Sequence, residues 1–223
     1  MSDKGETMKS ILIIGLGRFG SHLCKDLSER DHEIMIVDTN EDVIEPLLPY
    51  VATAKIGDCT KEEVLRSLGV DNFDICFVCI GTNFQSSLEV TSLLKDLGAP
   101  LVISKATRDI HAKFLLRNGA DEIIYPDRDI AEKCAITYSM DNVFDYLELD
   151  EKYSIYEILP RKAWIGKTIA DVDVRNHYHI NIVAIKQSQD LNVSPKPDYI
   201  FSGTERLMVI GKKEDLKQLA KKK

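Results

Sequence analysis

The stretch S-I-L-I-I-G-L-G-R-F-G, residues Ser10–Gly20, decides the fold of this chain. Its first half is an apolar run, which is typical of a strand buried on both faces. Its second half is a G-x-G-x-x-G motif, and a segment with apolar residues at helical spacing follows it. A strand, a glycine-rich turn and a helix in this order are the context in which the motif binds nucleotide phosphates.

Each residue of the motif has an expected role. Gly15 permits the tight turn, Gly17 lets the backbone approach a phosphate, and Gly20 lets the helix lie close to the strand. The helix N-terminus then offers unpaired N–H groups and the positive end of its dipole to an anion. Phe19 lies inside the motif and is expected at the same site.

An acidic residue follows the second predicted strand at the spacing that the motif requires. Asp38 comes about twenty residues after the glycines, where a carboxylate binds the ribose hydroxyls. A carboxylate at this place repels a 2′-phosphate, so NADP is disfavoured. The alternative is that Asp38 only caps the next helix.

Strand and helix patterns alternate as far as Ile124. This alternation predicts right-handed crossovers and a Rossmann-like, doubly wound parallel sheet. We predict its strands at Ser10–Ile14, Glu33–Val37, Ala52–Ile56, Ile75–Ile80, Leu101–Ser104 and Glu122–Ile124.

The sequence pattern changes from Tyr146, where the predicted strands and helices become shorter. We expect a small α+β C-terminal domain with a short helix from near Thr168 and a lysine-rich terminal helix over Lys212–Lys223. Its strands are predicted at Ser154–Leu159, Asn181–Lys186 and Arg206–Ile210.

The chain is therefore divided into four segments. A disordered tail is expected over 1–8, the nucleotide-binding domain over 9–125, a linking or dimerisation helix over 126–145 and the C-terminal domain over 146–223. The helix carries an apolar stripe that is expected to pack on the sheet or on a second subunit, at Ile130, Cys134 and Tyr138.

Polar and small residues follow the predicted strands at their carboxyl ends. In a doubly wound sheet those ends form the ligand crevice, so we expect these residues to contact a ligand. They are Thr39, Asn40, Asp58, Cys59, Gly81, Thr82, Lys105 and Asp127.

Arg18 gives the motif an unusual positive charge. A guanidinium beside the phosphates adds a fixed cation with forked donors. Together with Lys105 it favours a mononucleotide polyphosphate such as ATP or ADP, alone or alongside NAD(H). The alternative is an exposed arginine that contributes little.

Composition excludes several classes of protein. The net charge of −7 argues against a nucleic-acid-coating protein. No apolar run is long enough for a transmembrane helix, and the polar N-terminus has no signal core, so a cytosolic protein is expected. The odd count of five cysteines suits reduced thiols, and Cys76 and Cys79 are expected on opposite faces of one buried strand.

The sequence shows no set of catalytic residues. The C-terminal domain is small, and neither a G-x-S-x-G motif nor a phosphate-binding G-x-x-x-x-G-K-[ST] loop is present. His177 and His179 are expected to share one face of a strand, but two histidines without a third ligand are weak evidence for a metal site. We therefore predict that the protein is not an enzyme.

An ordered series of motifs resembles the regulator-of-potassium-conductance (RCK) family over nearly the whole chain, closest to its TrkA/KtrA-type cytoplasmic subunits. The series is G-L-G-R-F-G, V-D-T-N, I-G-D-C-T, C-I-G-T-N, S-K-A and G-A-D-E-I-I-Y-P. The resemblance implies a regulatory subunit at the inner face of the membrane. Such subunits form an octameric ring on a membrane-embedded potassium transporter subunit of the TrkH/KtrB type, and ATP, ADP or NAD(H) gates the transporter.

The resemblance also implies roles for individual residues. Arg18 would face the terminal phosphate of a ligand, including that of a neighbouring subunit. Asp127 lies where relatives often carry a glutamate near an intersubunit divalent cation. A second ligand, cyclic di-AMP, is implied for the C-terminal domain at Arg175, Asn176, His177, Ile182 and Pro195.

Two other functions remain open on the sequence. One is an NAD-dependent oxidoreductase with an unrecognised catalytic site. The other is a nucleotide-sensing regulator of a different partner, such as a transcription factor. The small C-terminal domain counts against the first, and the acidic balance counts against DNA binding by the second.

Overall fold

A computed structural model describes Met8–Lys221 of the chain. It forms two compact units, which divide between Asp127 and Arg128. Apart from Met8, the predicted tail over 1–8 lies outside the described residues, as do the last two lysines. No helix within the described range is both long and apolar enough to cross a membrane.

The first unit is built on a six-stranded, wholly parallel sheet in the order β3-β2-β1-β4-β5-β6. The predicted doubly wound sheet is confirmed. The strands are β1 Ser10–Ile14, β2 Glu33–Asp38, β3 Thr53–Ile56, β4 Ile75–Val78, β5 Val102–Lys105 and β6 Glu122–Ile124. The helices are α1 Arg18–Ser28, α2 Glu41–Ile44, α3 Glu62–Leu68, α4 Phe84–Asp96 and α5 Asp109–Arg117, with 3-10 turns at Glu45–Tyr50 and Val70–Asn72.

Successive side chains of β1 point to opposite faces of the sheet, so the strand contributes to a separate apolar core on each face. Ile11 and Ile13 pack in one cluster, and Leu12 and Ile14 pack in the other. All four are buried, as a strand covered by helices on both faces requires. The two cysteines of the C-x-x-C also fall in separate clusters, as predicted for opposite faces.

The second unit is a five-stranded antiparallel sheet in the order β10-β9-β11-β8-β7. Its strands are β7 Val143–Glu148, β8 Tyr153–Ile158, β9 Ile180–Gln187, β10 Asp190–Asn192 and β11 Arg206–Lys212. Its helices are α6 Pro126–Ser139 (which begins in the first unit), α7 Ile169–Val172, α8 Val174–Tyr178 and α9 Lys213–Lys221, with a 3-10 turn at Lys162–Trp164. Trp164 is fully buried in the core of this unit.

The helix predicted over 126–145 is too long, because it ends at Ser139 and the chain continues as strand β7. Val143 and Tyr146 of β7 are buried in the core of the second unit, which an extended segment achieves. Asn142 fixes the turn: its side chain donates to the carbonyl of Leu159 at 3.1 Å and accepts from the same residue's N–H at 3.2 Å. The predicted stripe Ile130, Cys134 and Tyr138 is exposed within this unit.

The prediction that His177 and His179 share a strand face is wrong. His177 lies in the short helix α8, and His179 ends that helix in the left-handed region at φ 55°. The Nδ1–H of His177 donates to the carbonyl oxygen of Val172 at 3.1 Å, which holds the imidazole against the preceding turn. The two rings therefore do not form a pair of ligands on one strand.

Candidate functional site

A cavity of about 600 Å³ opens at the carboxyl ends of the parallel strands, where β1 and β4 are neighbours. This is the point at which the strand order reverses, and ligands of doubly wound sheets bind there. Most of the residues expected to contact a ligand line it. They are Gly15, Gly17, Arg18, Phe19, Asp38, Thr39, Asp58, Cys59, Gly81, Thr82 and Lys105.

The glycine loop has the geometry that phosphate binding needs. Gly15 has φ +93°, and a β-carbon there would lie 3.1 Å from the backbone nitrogen of Ile80. Gly17 is the N-cap of α1, so no capping side chain fills the end of the helix, and no acidic residue lies in its first turn. The N–H groups of that turn therefore face the crevice ready for an anion.

Gly20 does not line the cavity but lies beneath it. A β-carbon built on Gly20 would lie 2.1 Å from the carbonyl oxygen of Gly15, so α1 can rest on the loop only because this residue has no side chain. The position of the helix N-terminus thus depends on Gly20.

Asp38 has two roles: its carboxylate holds the glycine loop in place, and it also lines the cavity. One carboxylate oxygen accepts from the N–H of Leu16 at 2.7 Å, and the other accepts from the N–H of Asn40 at 3.0 Å. Each carboxylate oxygen has a second lone pair, so the group can still accept from ribose hydroxyls. Its alternative interpretation as a helix cap does not hold, since Asn40 caps α2 by accepting from the N–H of Asp42.

Two cations lie at the phosphate end of the crevice. Arg18 is exposed at the start of α1 and has no ion pair within Met8–Lys221. The ammonium of Lys105 stands 5.5 Å from the centre of the Phe19 ring, a cation–π distance. Gly81 leaves room for Lys105, because a β-carbon at Gly81 would lie 3.4 Å from that ammonium nitrogen.

The turn after β3 supplies an ordered carboxylate. Asp58 accepts from both the N–H and the hydroxyl of Thr60, at 3.0 and 2.7 Å, and these hydrogen bonds lower the pKa of Asp58. The neighbouring Cys59 is buried, and burial raises the pKa of its thiol to about 12. Cys59 is therefore a neutral part of the wall rather than a nucleophile.

Four polar residues that line the crevice were not among the predicted site residues: Thr60, Asn83, Ser86 and Thr107. Asn83 follows the predicted Thr82 and is the N-cap of α4, where its side chain accepts from the N–H of Ser86 at 3.1 Å. An asparagine directly before an apolar helical pattern, here before Phe84, is a capping signal that could have placed it. Nothing local distinguishes Thr107, which the sheet brings to the site.

Asn40 and Asp127 do not line the cavity. Asn40 is occupied as a helix cap, and Asp127 is exposed at the second position of α6. Among the described residues, no group of three or more His, Cys, Asp or Glu side chains could hold a metal ion.

A second, smaller cavity of about 250 Å³ lies in the second unit. Arg175, Ile182 and Pro195 line it, as three of the five residues expected at a second ligand. The other two do not: the amide of Asn176 donates to Asp173 at 2.7 Å, and the ring of His177 bonds to the backbone.

The fold and the crevice together define a protein of the Rossmann-like class that carries a small α+β second unit. The chain belongs to the RCK family of TrkA/KtrA-type proteins. The TrkA-N domain matches residues 11–126 and the TrkA-C domain matches residues 153–223.

Relatives in this family align with this chain over almost their full length. The chain is 42% identical to Ktr system potassium uptake protein C of Bacillus subtilis, with 96% of this chain and 97% of that protein covered. It is 40% identical to Ktr system potassium uptake protein A of the same organism, over 94% and 95%. Both relatives are named as potassium uptake proteins, and membership of this family confirms the prediction that the chain is not an enzyme.

Solved structures share the fold. The RCK domain of GsuK aligns with a TM-score of 0.67 at 19% identity, covering 99% of this chain and 48% of that one. The GsuK channel aligns with a TM-score of 0.70 at 20% identity, covering 98% of this chain and 40% of that one. The chain thus spans about half the length of these structures or less.

Proposed function

We propose that this protein is the nucleotide-gated regulatory subunit of a potassium uptake system. The observation that carries the proposal is the pair of cations, Arg18 and Lys105, beside the open N-terminus of α1. The N-terminus of a helix is nearly sufficient to bind a pyrophosphate. The third phosphate of ATP adds negative charge, which can pair with both cations. Its relatives of 42% and 40% identity are named as Ktr system potassium uptake proteins.

The ligand is ATP, ADP or NAD(H), with the ribose on Asp38 and the phosphates on the glycine loop. The cavity of about 600 Å³ is within the range that encloses small ligands. GsuK, which shares this fold, has been solved with NAD and with ADP. That likeness concerns the fold, and the assignment here depends on the residues of the crevice.

In this proposal, gating depends on the thermodynamic coupling between nucleotide binding and the shape of the assembled ring. In our proposal the subunits form dimers that assemble into an octameric ring, at the cytoplasmic face of a membrane-embedded transporter subunit of the TrkH/KtrB type. A nucleotide shifts the ring only by the difference in its affinity for two ring shapes. A coupling of about 1–3 kcal/mol changes an equilibrium roughly 5- to 150-fold, which suffices for a switch.

Cyclic di-AMP is proposed as the second ligand, at the cavity beside Arg175. At about 250 Å³ this cavity is below the usual size for a drug-sized ligand, so a second copy of the chain must complete the site. Titration with cyclic di-AMP should therefore produce binding and dimer stabilisation that Arg175→Ala weakens. Lys167→Ala, an exposed cation outside the cavity, serves as the control.

A divalent cation at Asp127 is proposed only for the assembled ring. One exposed carboxylate offers far fewer than the six to eight oxygen ligands of a calcium ion, so neighbouring subunits must supply the others.

The test of the proposal is calorimetry with ATP, ADP and NADH on the wild type and on Arg18→Ala. We expect all binding to occur without turnover, and we expect Arg18→Ala to weaken ATP more than NADH. Arg30→Ala, beyond the end of α1, is the matched control and should bind as the wild type does. NADH binding alone, unchanged in Arg18→Ala, would contradict the role of the cations.

A further inference from the structure

His111 is a buried polar residue that the proposed site does not use. It lies in the first turn of α5 with 1% of its surface exposed. Its Nδ1 lies 3.4 Å from the backbone nitrogen and 3.3 Å from the hydroxyl oxygen of Thr107, a residue that lines the ligand crevice. The imidazole itself does not line the cavity.

The contact with Thr107 determines which nitrogen of the His111 imidazole carries the proton. The N–H of Thr107 can only donate, so Nδ1 must offer a lone pair, and a neutral imidazole then carries its proton on Nε2. Nε2 is buried, and no group within the described residues hydrogen-bonds to it. Burial, with the charge of Arg108 adding to it, lowers the pKa of His111, which keeps the ring neutral and the acceptor in place at pH 7.

Thr107 is held from its other side as well. The hydroxyl of Tyr125 donates to the carbonyl oxygen of Thr107 at 3.0 Å. The backbone of Thr107 is thus bound at its N–H by one side chain and at its carbonyl by another. This residue lies two positions after Lys105, so its position also constrains the loop that carries the cation.

The same imidazole packs under a second loop of the crevice. The ring of Phe84 lies 4.9 Å from the ring of His111, and Phe84 directly follows the crevice residue Asn83. The guanidinium of Arg108 stands 5.7 Å from the centre of the Phe84 ring. His111 therefore contacts the loop after β4 and the loop after β5, which form neighbouring walls of the crevice.

We infer that His111 is a positioning residue of the nucleotide site, which holds Thr107 in the crevice through the acceptor at Nδ1. With its own proton directed to Nδ1, the hydroxyl of Thr107 keeps lone pairs for a ligand donor such as a ribose hydroxyl or the adenine amine. This inference rests on the proposed nucleotide binding and adds a residue outside the cavity to it.

Asparagine and leucine give a matched pair of substitutions, because they have nearly the same shape and differ in hydrogen bonding. In His111→Asn the side-chain oxygen takes the place of Nδ1 and can accept from Thr107, whereas His111→Leu cannot. Both variants lose the same part of the ring and its contact with Phe84. A purely structural role would not make His111→Leu the weaker variant, because leucine suits a buried site at least as well as asparagine does.

The experiment measures ADP binding by calorimetry and the exchange rate of the Thr107 amide by NMR in the ligand-free full chain. We expect His111→Leu to weaken ADP binding about tenfold and to speed amide exchange to a similar degree, as the loss of one hydrogen bond of roughly 1.4 kcal/mol gives. His111→Asn should remain within about threefold of the wild type in both measurements.

Equal affinity and equal exchange in the two variants would overturn the inference. A wild type that fails to bind ADP would refute the proposed ligand instead, while the exchange of the Thr107 amide would still decide the hydrogen bond. Thermal unfolding of each variant sets a common temperature at which all three proteins are folded.

Discussion

Adding one methyl group at Gly20 should lower both stability and ligand binding, whereas adding it at Gly17 should lower ligand binding alone. Both glycines belong to the loop between β1 and α1, three residues apart. Gly20 lies beneath the cavity against backbone, whereas Gly17 lines the cavity. Gly20→Ala and Gly17→Ala are therefore each other's control.

At Gly20 the new methyl meets a backbone atom that cannot move aside. Its carbon would lie 2.1 Å from the carbonyl oxygen of Gly15 and 3.3 Å from the β-carbon of Cys79. Overpacking of this kind costs about 1–3 kcal/mol or more, and the better helix propensity of alanine returns only about 1 kcal/mol. We expect Gly20→Ala to destabilise the first unit by about 1–2 kcal/mol and to weaken nucleotide binding, because α1 must shift.

At Gly17 the methyl meets nothing within 4 Å, and the backbone, at φ −62° and ψ −176°, suits alanine. Stability should therefore stay within about 0.5 kcal/mol of the wild type. The methyl nevertheless occupies the point where backbone approaches a phosphate, so ADP affinity should fall by about tenfold or more.

Urea unfolding and calorimetry measure the two effects. Trp164, the single tryptophan, lies in the core of the second unit, so its fluorescence follows that unit while circular dichroism reports both. We expect Gly20→Ala to shift only the transition of the first unit. Wild-type ADP affinity in Gly17→Ala, or wild-type stability in Gly20→Ala, would refute the assignment of packing and phosphate contact to these positions.

Three further predictions concern charge and thiol chemistry. Glu205 is fully buried; burial alone would raise its pKa, but hydrogen bonds from Ser202 and nearby backbone N–H groups lower it. Its stabilisation is therefore complete above the unfolded pKa of about 4.3 and is lost as pH falls through the lower folded pKa. Glu205→Gln should cost about 1–3 kcal/mol in urea unfolding at pH 7, and a cost that persists unchanged at pH 3 would contradict this. Asp38 should make NADPH bind at least about tenfold more weakly than NADH, and calorimetry on Asp38→Asn should show a smaller ratio. A thiol reagent should modify the exposed Cys134 quickly and the buried Cys76 and Cys79, whose pKa values burial raises to about 12, only on unfolding.

The first unit was predictable because its signals are local and agree with each other. The apolar run of β1 reflects burial on both faces, and the glycine motif requires the strand before it and the helix after it. The position of Asp38 at the end of β2 followed from the same spacing. The helix over 126–145 was too long because the turn at Asn142 is fixed by Leu159, seventeen residues on.

Other site features depend on contacts that a linear pattern does not contain. His177 was expected on a strand, but its ring bonds back to Val172 within a short helical turn. Thr107 and His111 carry no motif, and they become part of the site through the packing of α5 beside the loop that follows β5.

Rubidium uptake by vesicles that contain a Ktr-type membrane subunit, with or without this chain on the outer-facing cytoplasmic side, tests the proposed function most directly. With the wild-type chain bound, we expect ATP and ADP to give different uptake rates. With Gly17→Ala, or without the chain, the two nucleotides should give the same rate. Uptake that is identical in ATP and ADP with the wild-type chain present would contradict nucleotide gating by this protein.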